Sequence, residues 1–180
     1  LVLKLLSGTI AALAVIVIAF VAETDSLTRT TLIIVAVGIP FRSFETLGFW
    51  FESQVQSKYT VYATNFAYVA ISLVKIGLIL ASAPVTAFAW TAVAEIVLSS
   101  VVLIIIYTRL DNKIQLSLFD ADLAKSLLLQ SWPLALSSIG GMIYLKIDQV
   151  MLGQMVDMSE VGIYAAAVRL SEISYFLPNL

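Results

Sequence analysis

The chain has 180 residues, 61% of them hydrophobic and 12% charged, with a net charge of −2 at pH 7. A soluble domain is about 45–50% apolar and about 25% charged, and one this short could not keep so much apolar surface from water, which excludes a typical cytosolic enzyme. The charge balance gives no basic patch for nucleic acid, and the absence of Cys and His removes disulfides, thiolate chemistry and the commonest general base and metal ligand, so no cofactor is expected.

A helix crossing about 30 Å of hydrocarbon needs about 20 mostly apolar residues. Six segments qualify. The first covers residues 1–22, uncharged over 5–22, and a polar loop with Glu23, Asp25 and Arg29 follows. The second covers residues 30–51, apolar in its first half but carrying Arg42 and Glu45 in its second. Pro40 removes a backbone bond there and predicts a kink. On a helix, Arg42 and Glu45 are three apart and share a face with Gly38, Phe49 and Glu52. Arg42 lies about 14 Å inside the end at Phe51, too deep for easy snorkelling, which favours a lumen-facing pair over a self-neutralising pair near the membrane edge. Residues 52–58 are polar.

The third span, residues 59–81, carries Lys75, and Pro84 marks a tight turn into the fourth, residues 85–107, which carries Glu95. Both charges fall toward the outer half of consecutive antiparallel helices, so a Lys75–Glu95 bridge holding two helices together is the favoured reading. Residues 108–125 form the one long polar stretch. Ile114, Leu116, Leu118, Phe119 and Leu123 are scattered among its charges, which suits a linker at the membrane interface. Asp120 is placed to N-cap a helix running into the fifth span.

The fifth span, residues 126–152, contains Pro133, a small-residue patch at Ser137-Ser138-Ile139-Gly140-Gly141, and Lys146 and Asp148. The patch suits close helix packing or a flexible point. Lys146 and Asp148 are two apart and point to different sides, Asp148 with Ser137, Gly141 and Tyr144 or Leu145. Lys146 either faces a cavity or snorkels to the outer edge. The sixth span begins near Val161 and carries Arg169 and Glu172, again three apart, on a face with Gly162, Ala165 or Ala166, and Phe176. Arg169 lies about 12 Å inside, which favours the lumen. The shared basic-then-acidic spacing of the second and sixth spans hints at an internal repeat, although two matches do not establish one. Phe44, Phe49, Trp50, Phe51, Tyr59 and Tyr62 suit an interfacial aromatic belt.

Lys4, Lys58, Arg109, Lys113 and Lys125 fall on one side of the membrane and only Arg29 on the other, so the Lys4 side is expected to be cytoplasmic and residues 23–29 and 153–160 to face outward. The long apolar runs lack the alternation of a membrane barrel, which leaves helices as the way to satisfy the backbone in lipid. The expected fold is all-α, a multi-pass transmembrane helix bundle of about six spans. The chain starts at Leu1 and stops inside an apolar segment, as an internal piece of a longer membrane protein would.

Several stretches together resemble the Wzx-type polysaccharide flippases of the MOP superfamily, which also holds the MATE exporters. The most specific is Asp148-Gln-Val-Met-Leu-Gly153 followed by Glu160-Val-Gly-Ile-Tyr-Ala-Ala-Ala-Val-Arg-Leu-Ser-Glu172. Ser131-Trp-Pro-Leu134, Trp50-Phe-Glu-Ser-Gln and Ser57-Lys-Tyr59 add to it. The resemblance implies that residues 1–107 are the last four helices of a first lobe, 108–125 a cytoplasmic linker, and 126–180 the first two helices of a second lobe. It also implies a bacterial inner-membrane protein that moves an undecaprenyl-diphosphate-linked oligosaccharide by alternating access, among membrane lipids and other polysaccharide-assembly membrane proteins. Arg169, Lys146 and Arg42 would then attract the diphosphate and sugar acids, in that order of rank for the first two over the third. Glu172, Asp148, Glu45, Lys75 and Glu95 would pair charges or couple an ion. This piece is not expected to transport alone, since half the cavity wall would be missing.

Rival readings are a MATE-like exporter of a small molecule or other lipid-linked precursor, and a membrane-embedded polymerase of the same sugar pathway. The short outer loops count against the polymerase. A purely structural scaffold would carry eight intramembrane charges, each costing about 2.5–3.5 kcal/mol or more at the bilayer centre, for no return.

Overall fold

The computed structural model describes residues 1–22, 25–110, 120–156 and 158–173. Among them there are seven α-helices, one 3-10 segment and no strand. The helices are α1 (Val2–Val21), α2 (Ser26–Gly38), α3 (Thr46–Ser53), α4 (Lys58–Leu80), α5 (Val85–Arg109), α6 (Ala121–Met155) and α7 (Met158–Ile173), with the 3-10 segment Ile39–Glu45 joining α2 to α3. Five stretches are long and apolar enough to cross a membrane: α1, the joined Ser26–Ser53, α4, α5 and α6. The described part of the sixth expected span is α7; residues 174–180 of that expectation, Phe176 included, lie outside the described residues. So does the middle of the expected linker, residues 111–119, with its apolar side chains. Asp120 does cap α6, accepting from the backbone N–H groups of Asp122 at 2.9 Å and Leu123 at 3.1 Å.

The chain divides into two compact units, Leu1–Phe119 and Asp120–Leu180. In the first, α5 packs on α2 and the 3-10 segment as well as on α4, and α1 packs on α2 and the 3-10 segment. Small residues make these contacts: Ala12 and Ala19 on α1, Ala36 and Gly38 on α2, Ala63 and Ala67 on α4, and Ala89 on α5 are all buried. This is how helices associate where lipid removes the usual hydrophobic drive and close backbone approach supplies the attraction.

One end of this unit is filled by rings. Phe51 is fully buried, with its ring 5.4 Å from Tyr59 and 6.2 Å from Tyr107, and Trp50 meets Tyr107 edge-on at 5.0 Å. The expected aromatic belt is therefore only partly a belt. Phe49 and Tyr62 stay exposed, while Trp50, Phe51 and Tyr59 pack with Tyr107 over the space that Ala63 leaves. Lys4 lies 4.5 Å from the centroid of Phe49 at this same end.

The break at Pro40 has a definite form. In an α-helix the Pro40 nitrogen would donate to the Ala36 carbonyl, and proline has no hydrogen to give. The Ile39 N–H donates to Ala36 instead, one residue early, and the chain continues as a 3-10 helix for seven residues. Runs beyond three or four residues are uncommon. Two neighbours support it. Gly8 on α1 lets the backbones approach, since a Cβ there would meet the Pro40 Cα and the Ser43 Oγ at 3.3 Å each. The Ser100 hydroxyl of α5 lies 3.0 Å from the Phe41 carbonyl and 2.8 Å from that of Ile96, which share its proton.

The two hairpin turns after α3 and α4 are built alike. After α3, Gln56 N–H donates to Phe51 at 2.8 Å and Val55 N–H to Glu52 at 3.0 Å; after α4, Ala83 donates to Leu78 and Ser82 to Ile79, both at 3.0 Å. Each turn needs a left-handed residue, and these are Val55 at φ 58° and Ser82 at φ 49°. That conformation costs an L-residue about 1–2 kcal/mol and suits a β-branched side chain least. Val55 is 91% exposed, so its side chain packs on nothing that offsets the cost. Val55→Gly is expected to stabilise the protein by about 1 kcal/mol, after allowance for glycine's larger unfolded-state entropy. A higher thermal midpoint in detergent would show this, and a lower one would mean the turn is not strained.

In the second unit, α6 and α7 form an antiparallel hairpin. At 35 residues α6 spans about 52 Å, well beyond the hydrocarbon thickness. A Cβ on Gly140 or Gly141 would find nothing within 4 Å, so no other described residue of this unit packs on the small-residue patch.

Candidate functional site

Charged side chains inside apolar helices are the chemistry this chain offers. Lys75 continues the Ala63–Ala67–Ile71 ridge by which α4 meets α5. Its ammonium reaches the Glu95 carboxylate of α5 at 2.9 Å. This is the one ion pair among the described residues. Both side chains keep about a third of their surface open, 36% and 32%.

Arg42 and Glu45 stand exposed on the 3-10 segment and make no ion pair with any described residue. At three residues per turn, positions three apart eclipse each other, so the two do share a face. Gly38 does not share it, which corrects the continuous-helix expectation. Gly38 is buried, and a Cβ there would sit 3.4 Å from Val93 and Ile96 side-chain carbons. The reason is twist. Four α-helical steps would place Arg42 about 40° from Gly38, whereas four 3-10 steps place it about 120° away. The 3-10 segment thus turns Arg42 out of the packing face.

On the α6–α7 hairpin, Asp148 is half-buried in the seam between the helices. Its carboxylate accepts a hydrogen bond from the Tyr164 hydroxyl and another from the Gln149 N–H at 2.8 Å. The sequence alone gives Tyr164 no part. The signal was available: Asp148 and Tyr164 each lie eight residues from Val156 at the hairpin turn, and so at equal depth on antiparallel helices. The other residues of the expected Asp148 stripe, Ser137, Gly141 and Tyr144, are exposed, so the seam takes Asp148 alone of that set. Tyr164→Phe leaves this carboxylate one donor short in an apolar setting and is expected to lower stability by about 1–2 kcal/mol. Asp148→Asn should lose less than Tyr164→Phe, which thermal melts of the two variants would compare.

Lys146 and Arg169 are exposed and make no ion pair with a described residue; neither does Glu172. Lys146 lies in a shallow depression with Met142, Ile143, Ile147 and Val150. By helical phase it sits about 160° around α6 from Asp148, and Arg169 about 140° around α7 from Tyr164. Because Asp148 and Tyr164 meet in the seam, the two cations point away from it, Lys146 from the outer side of α6 and Arg169 from the outer side of α7, about 5 Å apart in depth.

The sequence model of the polysaccharide biosynthesis protein family matches residues 1–176. The chain belongs to this family. The match runs through both units and every charged residue described above. No curated protein and no solved structure matches the chain. Members of the polysaccharide biosynthesis family are of the Wzx flippase type, and most are transporters. With five stretches among the described residues able to cross a bilayer, this is a membrane protein with a role in polysaccharide synthesis or export.

Proposed function

We propose that the chain forms part of a flippase that carries an undecaprenyl-diphosphate-linked oligosaccharide across the bacterial inner membrane. The two units belong to two lobes that rock about a central cavity, the first contributing its last four helices and the second its first two. Cations on the cavity wall draw the diphosphate and sugar acids out of the headgroup layer while the polyprenyl tail stays in lipid. Arg169 and Lys146 lead in this role and Arg42 assists. Glu45, Glu172 and Asp148 pair with cations or couple an ion as the lobes move, and Lys75–Glu95 holds α4 to α5. Other membrane proteins of polysaccharide assembly supply and remove the cargo.

The observation that carries this reading is the pair of exposed cations on the outer sides of the α6–α7 hairpin, with no carboxylate partner among the described residues, in an apolar helix pair. Such charges are costly in lipid unless they face water or an anion, so their retention points to a translocation path. The test is deletion of the gene, with the lipid-linked repeat unit followed on both faces of the inner membrane. Accumulation on the cytoplasmic face is expected. Repeat units that reach the outer face but stay unpolymerised would show a polymerase instead.

A further inference from the structure

We infer that Ser100 and Gly8 are positioning residues for Arg42: they hold Ile39–Glu45 in its 3-10 form, and that form is what turns Arg42 outward. The inference rests on the reading of Arg42 as facing a water-filled cavity. Pro40 explains why the α-helix stops, since it leaves the Ala36 carbonyl without its α-helical donor. It does not explain why seven residues then stay 3-10, because proline is well tolerated in the first turn of a new α-helix. The neighbours supply the reason. The tighter, longer 3-10 coil lies in the notch at Gly8, where a Cβ would meet Pro40 and Ser43 at 3.3 Å, and Ser43 is only 3% exposed there. Ser100 then reaches from α5 to the Phe41 carbonyl, immediately before Arg42, and ties the coil at its centre. Were the segment to relax to α pitch, Arg42 would swing by about 80° toward the bearing of Gly38, the bearing that packs on α5.

The sequence contains no cysteine, so a single Arg42→Cys reports its own surroundings, in an intact protein kept free of other cysteines. The probe is a charged, membrane-impermeant methanethiosulfonate, which reacts only with a thiol that water reaches. Arg42→Cys alone is expected to react. Adding Ser100→Ala should slow the reaction about fivefold, the population shift that one hydrogen bond supports, and Ser100→Thr, which keeps the hydroxyl, should not. Gly8→Ala and Pro40→Ala should slow it further, the first by pushing the coil off α1 and the second by restoring the α-helical donor. Gln54→Cys, on the exposed turn after α3, should react equally in every background and so reports correct folding. Equal rates at position 42 in all backgrounds would overturn the positioning role. No reaction of Arg42→Cys in the otherwise unaltered protein would overturn the cavity reading on which it rests.

Discussion

Replacing Arg169 with Ala is expected to lower transport about a hundredfold or more, and replacing it with Lys to restore part of the loss. A hydrogen-bonded cation facing an anion away from bulk water is worth about 3–5 kcal/mol when one partner is removed, which is the source of that factor. Lysine keeps the charge but not the planar fork that grips two oxygens of a phosphate at once, so its rescue should be incomplete. Lys146→Ala should cost about tenfold, because a lysine acts as a single charge on a flexible stem. Since both cations act on the same diphosphate in this account, the double variant should lose less than the product of the single losses. Complementation of a deletion strain, with surface polysaccharide as the readout and membrane levels of each variant matched, measures all four. Full activity in Arg169→Ala would remove this cation from the mechanism.

Breaking the Lys75–Glu95 pair from one side is expected to be the most destabilising charge substitution in the first unit. Glu95→Gln leaves an ammonium facing apolar surroundings, and Lys75→Met leaves a carboxylate there, at about 2–3 kcal/mol each. Lys75 lies about 8 Å from the end of α4, near enough for its stem to relieve part of the charge, so Lys75→Met should be the worse of the two. The double variant Lys75→Met/Glu95→Leu should recover most of the stability, because two apolar side chains at a helix seam in lipid replace the pair without leaving a charge. Thermal denaturation in detergent reads this directly. A double variant no more stable than the singles would mean that the ion pair itself, rather than the avoidance of a lone charge, holds α4 to α5. If transport also fails in a stable double variant, the pair belongs to ion coupling and not to scaffolding.

The spans were legible because lipid sets a simple demand: about 20 apolar residues, helical, with the few charges either paired or functional. That demand alone marks α1, α4 and α5 and brings Lys75 opposite Glu95 across the Pro84 turn. What the sequence left open depends on residues far apart in the chain. Pro40 announces a break, but whether the chain kinks or continues as a 3-10 coil is decided by Gly8 and Ser100 on other helices. The bearing of Arg42 relative to Gly38 therefore could not be read locally. The aromatic residues near Trp50 have the composition of a membrane-interface belt, and only the crossing of α3, α4 and α5 shows that Phe51 is core. Tyr164 escaped notice because a lone tyrosine in an apolar helix is ordinary. Its meaning comes from its distance to the turn, which matches that of Asp148.

The decisive measurement is reconstitution of the intact protein into liposomes with a fluorescent undecaprenyl-diphosphate oligosaccharide in both leaflets, followed by chemical quenching from outside. Protein-dependent loss of the protected inner-leaflet signal, abolished by Arg169→Ala and partly restored by Arg169→Lys, is the result expected of a flippase with a cationic path. An inner-leaflet signal that stays as protected as in protein-free liposomes would contradict it.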